Sequence, residues 1–147
     1  EATEYLSGKE VGDNVIIVGG GLTGCEIAYD LILKGKKPQI VEMKNDLIAV
    51  KGVCLANSSF LREMLAFKKT QVYLNTTLVE IKEDGVTVKD KEGKVFDLKG
   101  DTVIVSVGYK PAPLTGTAKH VHLVGDANGV GNLRTVMWRA WDICMKL

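Results

Sequence analysis

The sequence predicts an α/β fold: a parallel sheet with helices on both faces, joined by a three-stranded antiparallel β-meander. Three observations predict it. Apolar runs without polar alternation, Val15–Val18, Pro38–Val41 and Thr102–Gly108, read as strands buried on both faces. An amphipathic helical pattern separates the first two. Between residues 77 and 98 the pattern changes to period two, with Asp84-Gly85 and Glu92-Gly93 at the turns.

The chain is organised around Val15–Glu42. After the first strand, Gly19-Gly20-Gly21-Leu22-Thr23-Gly24 fits G-x-G-x-x-G. Gly19 allows a tight turn, Gly21 leaves room for a pyrophosphate, and Gly24 lets the next helix approach the strand. That helix is expected from Leu22 to Lys34, with Gly24, Ile27, Ala28 and Leu31 on one face and Gly35 as its stop. Its first turn forms an anion site. The second strand ends at Glu42, which follows Gly21 at about the 20-residue spacing of a carboxylate that holds an adenosine ribose. The whole unit therefore reads as Rossmann-like and dinucleotide-binding. Glu42 taken alone also reads as a solvated strand-end acid. Met43 and Lys44 would flank the adenosine, and Lys44 reads either as a phosphate contact or as a solvated lysine.

The other elements follow in order. Residues 1–14 are polar and read as a connector. Residues 43–57 read as a loop. A second helix is expected over Ser58–Lys68, capped by Asn57 or Ser58, with Phe60, Leu61, Met64, Leu65 and Phe67 as its apolar face and both phenylalanines in the core. Gln71–Leu74 reads as a third parallel strand. The meander is expected at Leu78–Lys82, Val86–Lys89 and Val95–Leu98. His120–Asp126 reads as a last short strand, either partly disordered or paired with the sheet edge. Arg134–Leu147 fits a helix whose Trp138 and Trp141 suit core or interface packing, or an interaction surface.

Composition excludes several classes. The 147 residues suffice for one domain with a core; 46% are hydrophobic and 25% charged, as in globular proteins. A formal net charge of +1 gives no reason to expect nucleic acid. No apolar run is long enough to span a membrane and no signal peptide opens the chain, so a cytoplasmic setting is expected. Cys25, Cys54 and Cys144 include no C-x-x-C pair, which argues against zinc, a disulfide scaffold or a dithiol centre. His120 and His122 have only Asp126 near ligand spacing, so no metal site is expected. The start at Glu1 suggests a piece of a larger protein.

Three segments together carry a resemblance: GGGLTGCEIA with Glu26 after the last glycine, SVGYKP around Gly108, and HLVGDA ending at Gly125-Asp126. They resemble the two-dinucleotide-binding-domain flavoproteins (the glutathione-reductase-like superfamily), and within it the C-terminal part of the NADH:flavin oxidoreductases that include 2-enoate and dienoyl-CoA reductases. The resemblance implies an NAD(P)H-binding domain at 15–113, a connector at 1–14, and at 114–147 a return segment of the FAD-binding domain. It implies NADH and FAD as cofactors, with Asp126 on the FAD ribityl chain. FMN and an iron–sulfur cluster belong to a TIM-barrel domain that has no counterpart here. Glu26 lies near the nicotinamide by resemblance, or is an exposed helix carboxylate. Val79 packs on the adenine, or in the core. Gly108 admits a cofactor, or simply turns the chain. Glu42 would repel the 2′-phosphate of NADPH, which favours NADH. The implied partners are the FAD-binding and barrel domains of the same chain, and an apolar last helix would favour a homo-oligomer. The full enzyme would pass hydride from NADH to FAD and on to FMN for C=C reduction. These residues alone would bind nucleotide without turnover. A minimal FAD-binding flavoprotein domain is the alternative, and Glu26 weighs against it.

Overall fold

The computed structural model describes residues 1–50, 52–114, 116, 118 and 120–147. They form two compact units, Glu1–Val107 and Gly108–Leu147. Thr115, Thr117 and Lys119, within the expected return segment, and Lys51, within the expected loop, lie outside the described residues.

In chain order the first unit contains α1 (Ala2–Leu6), β1 (Asn14–Val18), α2 (Leu22–Leu33), β2 (Lys37–Val41), α3 (Leu55–Phe67), β3 (Gln71–Tyr73), β4 (Thr77–Lys82), β5 (Gly85–Lys89), β6 (Val95–Lys99) and β7 (Thr102–Val105). A four-stranded parallel sheet has the order β3-β2-β1-β7, and β4-β5-β6 form a separate antiparallel sheet. Central strand β1 explains both layers. Side chains alternate across a strand, so its four apolar residues divide between two cores. Val15 and Ile17 join Cys25, Ile27, Ala28 and Leu31 of α2, Leu61 and Leu65 of α3, and Ile40 and Ile104 of the neighbouring strands. Ile16 and Val18 join Val41 and the meander residues Val86, Val88 and Leu98. The α/β class and the meander are as expected. The layering differs from the sequence reading, because α1, α2 and α3 all pack on one face and the meander, rather than helices, covers the other.

Several boundaries also differ. The segment read as a connector contains α1, whose Ala2 is buried and whose Tyr5 hydroxyl donates to the Asp30 carboxylate of α2. A helix this short carries no periodic signal and depends on tertiary contacts. Helix α3 begins at Leu55, not Ser58, with Cys54 as its N-cap residue. Ser58 is buried instead, and its hydroxyl donates to the Leu55 carbonyl. Spacing of three and then four residues lines Ser58, Leu61 and Leu65 along the inner face. Phe60 and Phe67, expected in the core, are 48% and 75% exposed. Phe60 makes an edge contact with Tyr29 instead, centroids 5.5 Å apart.

In the second unit, residues 120–124 form no strand. Gly125–Ala127 is a 3₁₀ turn, followed by α4 (Leu133–Cys144). A strand needs a ladder partner for its backbone groups, and residues 120–124 pair with no strand among the described residues. Asn132 caps α4 by accepting from the Thr135 N–H at 3.1 Å. Trp138 and Trp141, read as core or interface packing or as an interaction surface, are 61% and 57% exposed.

One acid ties β7 to the entry of β1. Oδ2 of Asp101 accepts the N–H groups of Asn14 at 2.9 Å and Asp13 at 3.1 Å. The backbone bond from Asn14 is the main reason its carboxyl is held below the ordinary aspartate range. A group with a lowered folded pKa contributes stability that is complete above its unfolded pKa and lost as pH falls through the folded value. The stability gap between the native chain and Asp101→Asn should therefore narrow from about pH 5 downward. Urea unfolding at stepped pH checks this; a constant gap would remove Asp101 from the acid response.

Candidate functional site

The site lies where β1 runs into α2. Gly19 leaves the strand at φ +112°, donates its N–H to the Val41 carbonyl at 2.8 Å, and sits so close to the Ser106 carbonyl oxygen that a β-carbon would overlap it. A β-carbon on Gly24 would overlap the Gly19 carbonyl oxygen and touch Ile17, so this glycine is what brings α2 down onto β1. Gly21 differs from both. It is the N-cap residue of α2, and a β-carbon there would meet nothing within 4 Å. The three fingerprint glycines thus occupy the three situations expected of them: a turn, an open approach and a close contact.

The start of α2 is a donor site. It has no side-chain cap and no acid in its first turn. The N–H groups of Leu22, Thr23 and Gly24 have no acceptor among the described residues. Leu22 and Thr23 are half-buried and Gly24 is buried. Free N–H groups at the positive end of a helix, beside an open glycine, suit a phosphate or diphosphate.

Glu42, at the end of β2, is only 7% exposed. Its Oε2 accepts the Gly20 N–H at 2.6 Å and its Oε1 accepts the Lys44 N–H at 2.7 Å. The carboxylate is thus fixed against the glycine turn by two charge-assisted bonds. Each oxygen keeps acceptor capacity for a further donor. Met43 is 68% exposed, and the Lys44 side chain runs along the loop, with Nζ donating to the Ala49 carbonyl at 3.3 Å.

The remaining candidates lie elsewhere. Glu26 is exposed on α2. Val79 is 55% exposed at a bulge in β4 between Leu78 and Glu80, so it is not a core residue. In the second unit Gly108 is exposed at φ +98° and Gly125 is buried at φ +60°. Asp126 is exposed, and its Oδ1 accepts the Gly131 N–H at 3.1 Å. His120 and His122 are exposed, and no metal-binding cluster occurs among the described residues. All three cysteines are free thiols. Burial, followed by the nearby Glu42 carboxylate, pushes the Cys25 thiol up to about 12, so it supplies no thiolate near neutral pH.

The sequence reading missed Leu47, Ile48 and Arg62. Leu47 and Ile48 are 7% and 2% exposed, and Leu47 lies 2.5 Å from where a Gly20 β-carbon would sit. The available signal was an apolar pair inside a polar loop. Arg62 had a weaker signal, a charge one residue from the inner face of an otherwise packed helix.

A family model for pyridine nucleotide-disulphide oxidoreductases matches residues 1–132. The chain is 33% identical over 145 residues to cinnamate reductase of Clostridium sporogenes, covering 95% of this chain and 22% of that protein. It is 31% identical over 144 residues to NADH oxidase of Thermoanaerobacter brockii, covering 90% and 22%. Solved 2-naphthoyl-CoA reductase shares the fold, with a TM-score of 0.82 at 24% identity over 97% of this chain and 22% of that one. The chain spans about a fifth of the length of these relatives.

Proposed function

The chain belongs to the pyridine nucleotide-disulphide oxidoreductase family, and from that premise we propose that it is the NADH-binding part of a larger flavin-dependent reductase of the 2-enoate-reductase type. The observation that carries this reading is the Glu42 carboxylate pinned to the Gly20 N–H beside the open Gly21 turn. That pair sets a fixed acceptor beside a free anion site, which suits a ribose and the diphosphate attached to it.

In this reading the pyrophosphate lies on Gly19–Gly24 and the first turn of α2. Glu42 accepts hydrogen bonds from the ribose hydroxyls and disfavours a 2′-phosphate by charge and by desolvation. Glu26 faces the nicotinamide end and Val79 the adenine, and Gly108 leaves room for a cofactor beside its own backbone. A bound nicotinamide supplies hydride to FAD; this chain's own residues bind and orient. Gly125 and Asp126 belong to the return segment of an FAD-binding domain, with Asp126 as a ribityl acceptor. FMN, an iron–sulfur cluster and the C=C substrate belong to parts of the full protein beyond these residues. The described chain alone binds nucleotide and does not turn over.

Calorimetric titration with NADH, and with NADPH and FAD in parallel, tests the reading. Selective NADH binding is expected; tight FAD binding with no response to NADH would overturn it. Glu42→Gln is a milder probe than arginine, which would place an unpaired cation among buried groups. The glutamine amide has one acceptor where two N–H groups converge. A loss of about 1–3 kcal/mol in stability is therefore expected, along with a smaller ratio of NADPH to NADH dissociation constants. An unchanged ratio would remove Glu42 from cofactor selection.

A further inference from the structure

Both backbone groups of Gly20 are committed to the segment after β2. Its N–H is held by Glu42, and its carbonyl accepts the Ile48 N–H at 2.7 Å. The glycine turn and residues 42–48 are therefore tied together through both backbone groups of Gly20. That segment contains an unfavourable conformation: Ile48 is β-branched, buried and at φ +51°. Such a residue persists there only when its surroundings hold it. Besides that bond to Gly20, an arginine on α3 holds the segment. Arg62 donates through Nε and Nη2 to the Leu47 carbonyl at 3.1 and 2.7 Å, and through Nη2 to the Ile48 carbonyl at 3.5 Å. Nη2 also pairs with Asp46 at 3.2 Å. A planar guanidinium can span these acceptors; an ammonium cannot match that fork.

We propose that Arg62 is a positioning residue for dinucleotide selection, holding the Asp46–Ile48 loop so that Glu42 and the Gly20 turn keep the spacing that distinguishes a ribose hydroxyl from a 2′-phosphate. The inference rests on the dinucleotide reading above. It adds that selectivity is set partly by a helix whose side chain reaches the site only through a loop.

The test compares Arg62→Met and Arg62→Lys with the native 147-residue chain. One measurement is the NADH and NADPH dissociation constants; the other is amide hydrogen exchange. In Arg62→Met the NADH constant should rise about tenfold, the effect of roughly one charge-assisted hydrogen bond. The NADPH constant should change less, so the ratio between them falls. The Ile48 and Gly20 amides should exchange faster while those of Ile16 and Ile17 in β1 keep their protection. Arg62→Lys should fall between native and Arg62→Met in both measurements. An unchanged ratio with unchanged Ile48 exchange would overturn the proposal. So would a uniform loss of protection that includes β1, or unfolding of both variants, since either makes Arg62 a general stability residue. If the native chain binds neither nucleotide, the dinucleotide reading itself fails, and the proposal with it; Ile48 exchange then reports only whether Arg62 holds the loop.

Discussion

Gly19→Ala should destabilise the Glu1–Val107 unit by about 3–5 kcal/mol. Two costs combine. An alanine at φ +112° is strained, and its methyl would overlap the Ser106 carbonyl at the end of β7. Ser106 cannot step aside freely, because its own N–H donates to the Val18 carbonyl at 2.7 Å. Relief would require β1 and β7 to part. For a domain whose total stability is about 5–15 kcal/mol, this is a large share. Urea unfolding followed by far-UV circular dichroism is the appropriate measurement. Both tryptophans lie on α4, so their fluorescence reports the other unit. A loss below about 1 kcal/mol would mean that the turn relaxes at little cost and that Gly19 is not required for its shape.

The same change two residues later should have the opposite profile. Gly21 has φ −70°, which any residue adopts, and its missing side chain faces open space. Gly21→Ala should leave stability within about 0.5 kcal/mol, with a lower unfolded-state entropy offsetting a slightly poorer cap. Affinity for NADH should fall about a hundredfold, because the methyl would hold the diphosphate away from the free N–H groups of α2. Calorimetry of the folded variant reads this directly. If Gly21→Ala bound NADH as well as the native chain, the space in front of Gly21 would not be the diphosphate site.

The legible and illegible parts of this molecule separate by range. Val15–Val18 and the glycines after it were legible because strand burial and tight turns leave local marks: β-branched runs, and glycine where a β-carbon cannot fit. The meander was legible from its Asp-Gly and Glu-Gly turns. Phe60 and Phe67 misled because hydrophobicity marks a helix face only to within a broad arc, and Leu61 and Leu65 fill the narrow part that touches α2. Helix α1 left no periodic trace, since its place depends on Tyr5 meeting Asp30 across the fold. The expected strand before Asp126 failed for a related reason: a strand is a property of a pair, and the pattern in one segment cannot supply its partner. In the site, the glycine cradle and Glu42 were visible as a spacing. The bonds that fix Glu42 were not, and neither were Leu47, Ile48 and Arg62, because each acts through a neighbour brought close only by the tertiary structure.

The pairing of β1 with β7 also bears on how the protein is made. Val15 is matched to Thr102 and Val18 to Val105, so the innermost strand meets one of its two partners only near the end of the first unit. On a ribosome, β1, α2 and β2 can associate early, while one edge of β1 stays open until nearly all of that unit has emerged. The Ser106 carbonyl that backs Gly19 arrives only after all four strands of the parallel sheet. The glycine turn is therefore completed late in synthesis, and until then the apolar edge of β1 is exposed to self-association. Chains truncated before residue 102 should depend on chaperones in a way that chains extending past residue 107 do not.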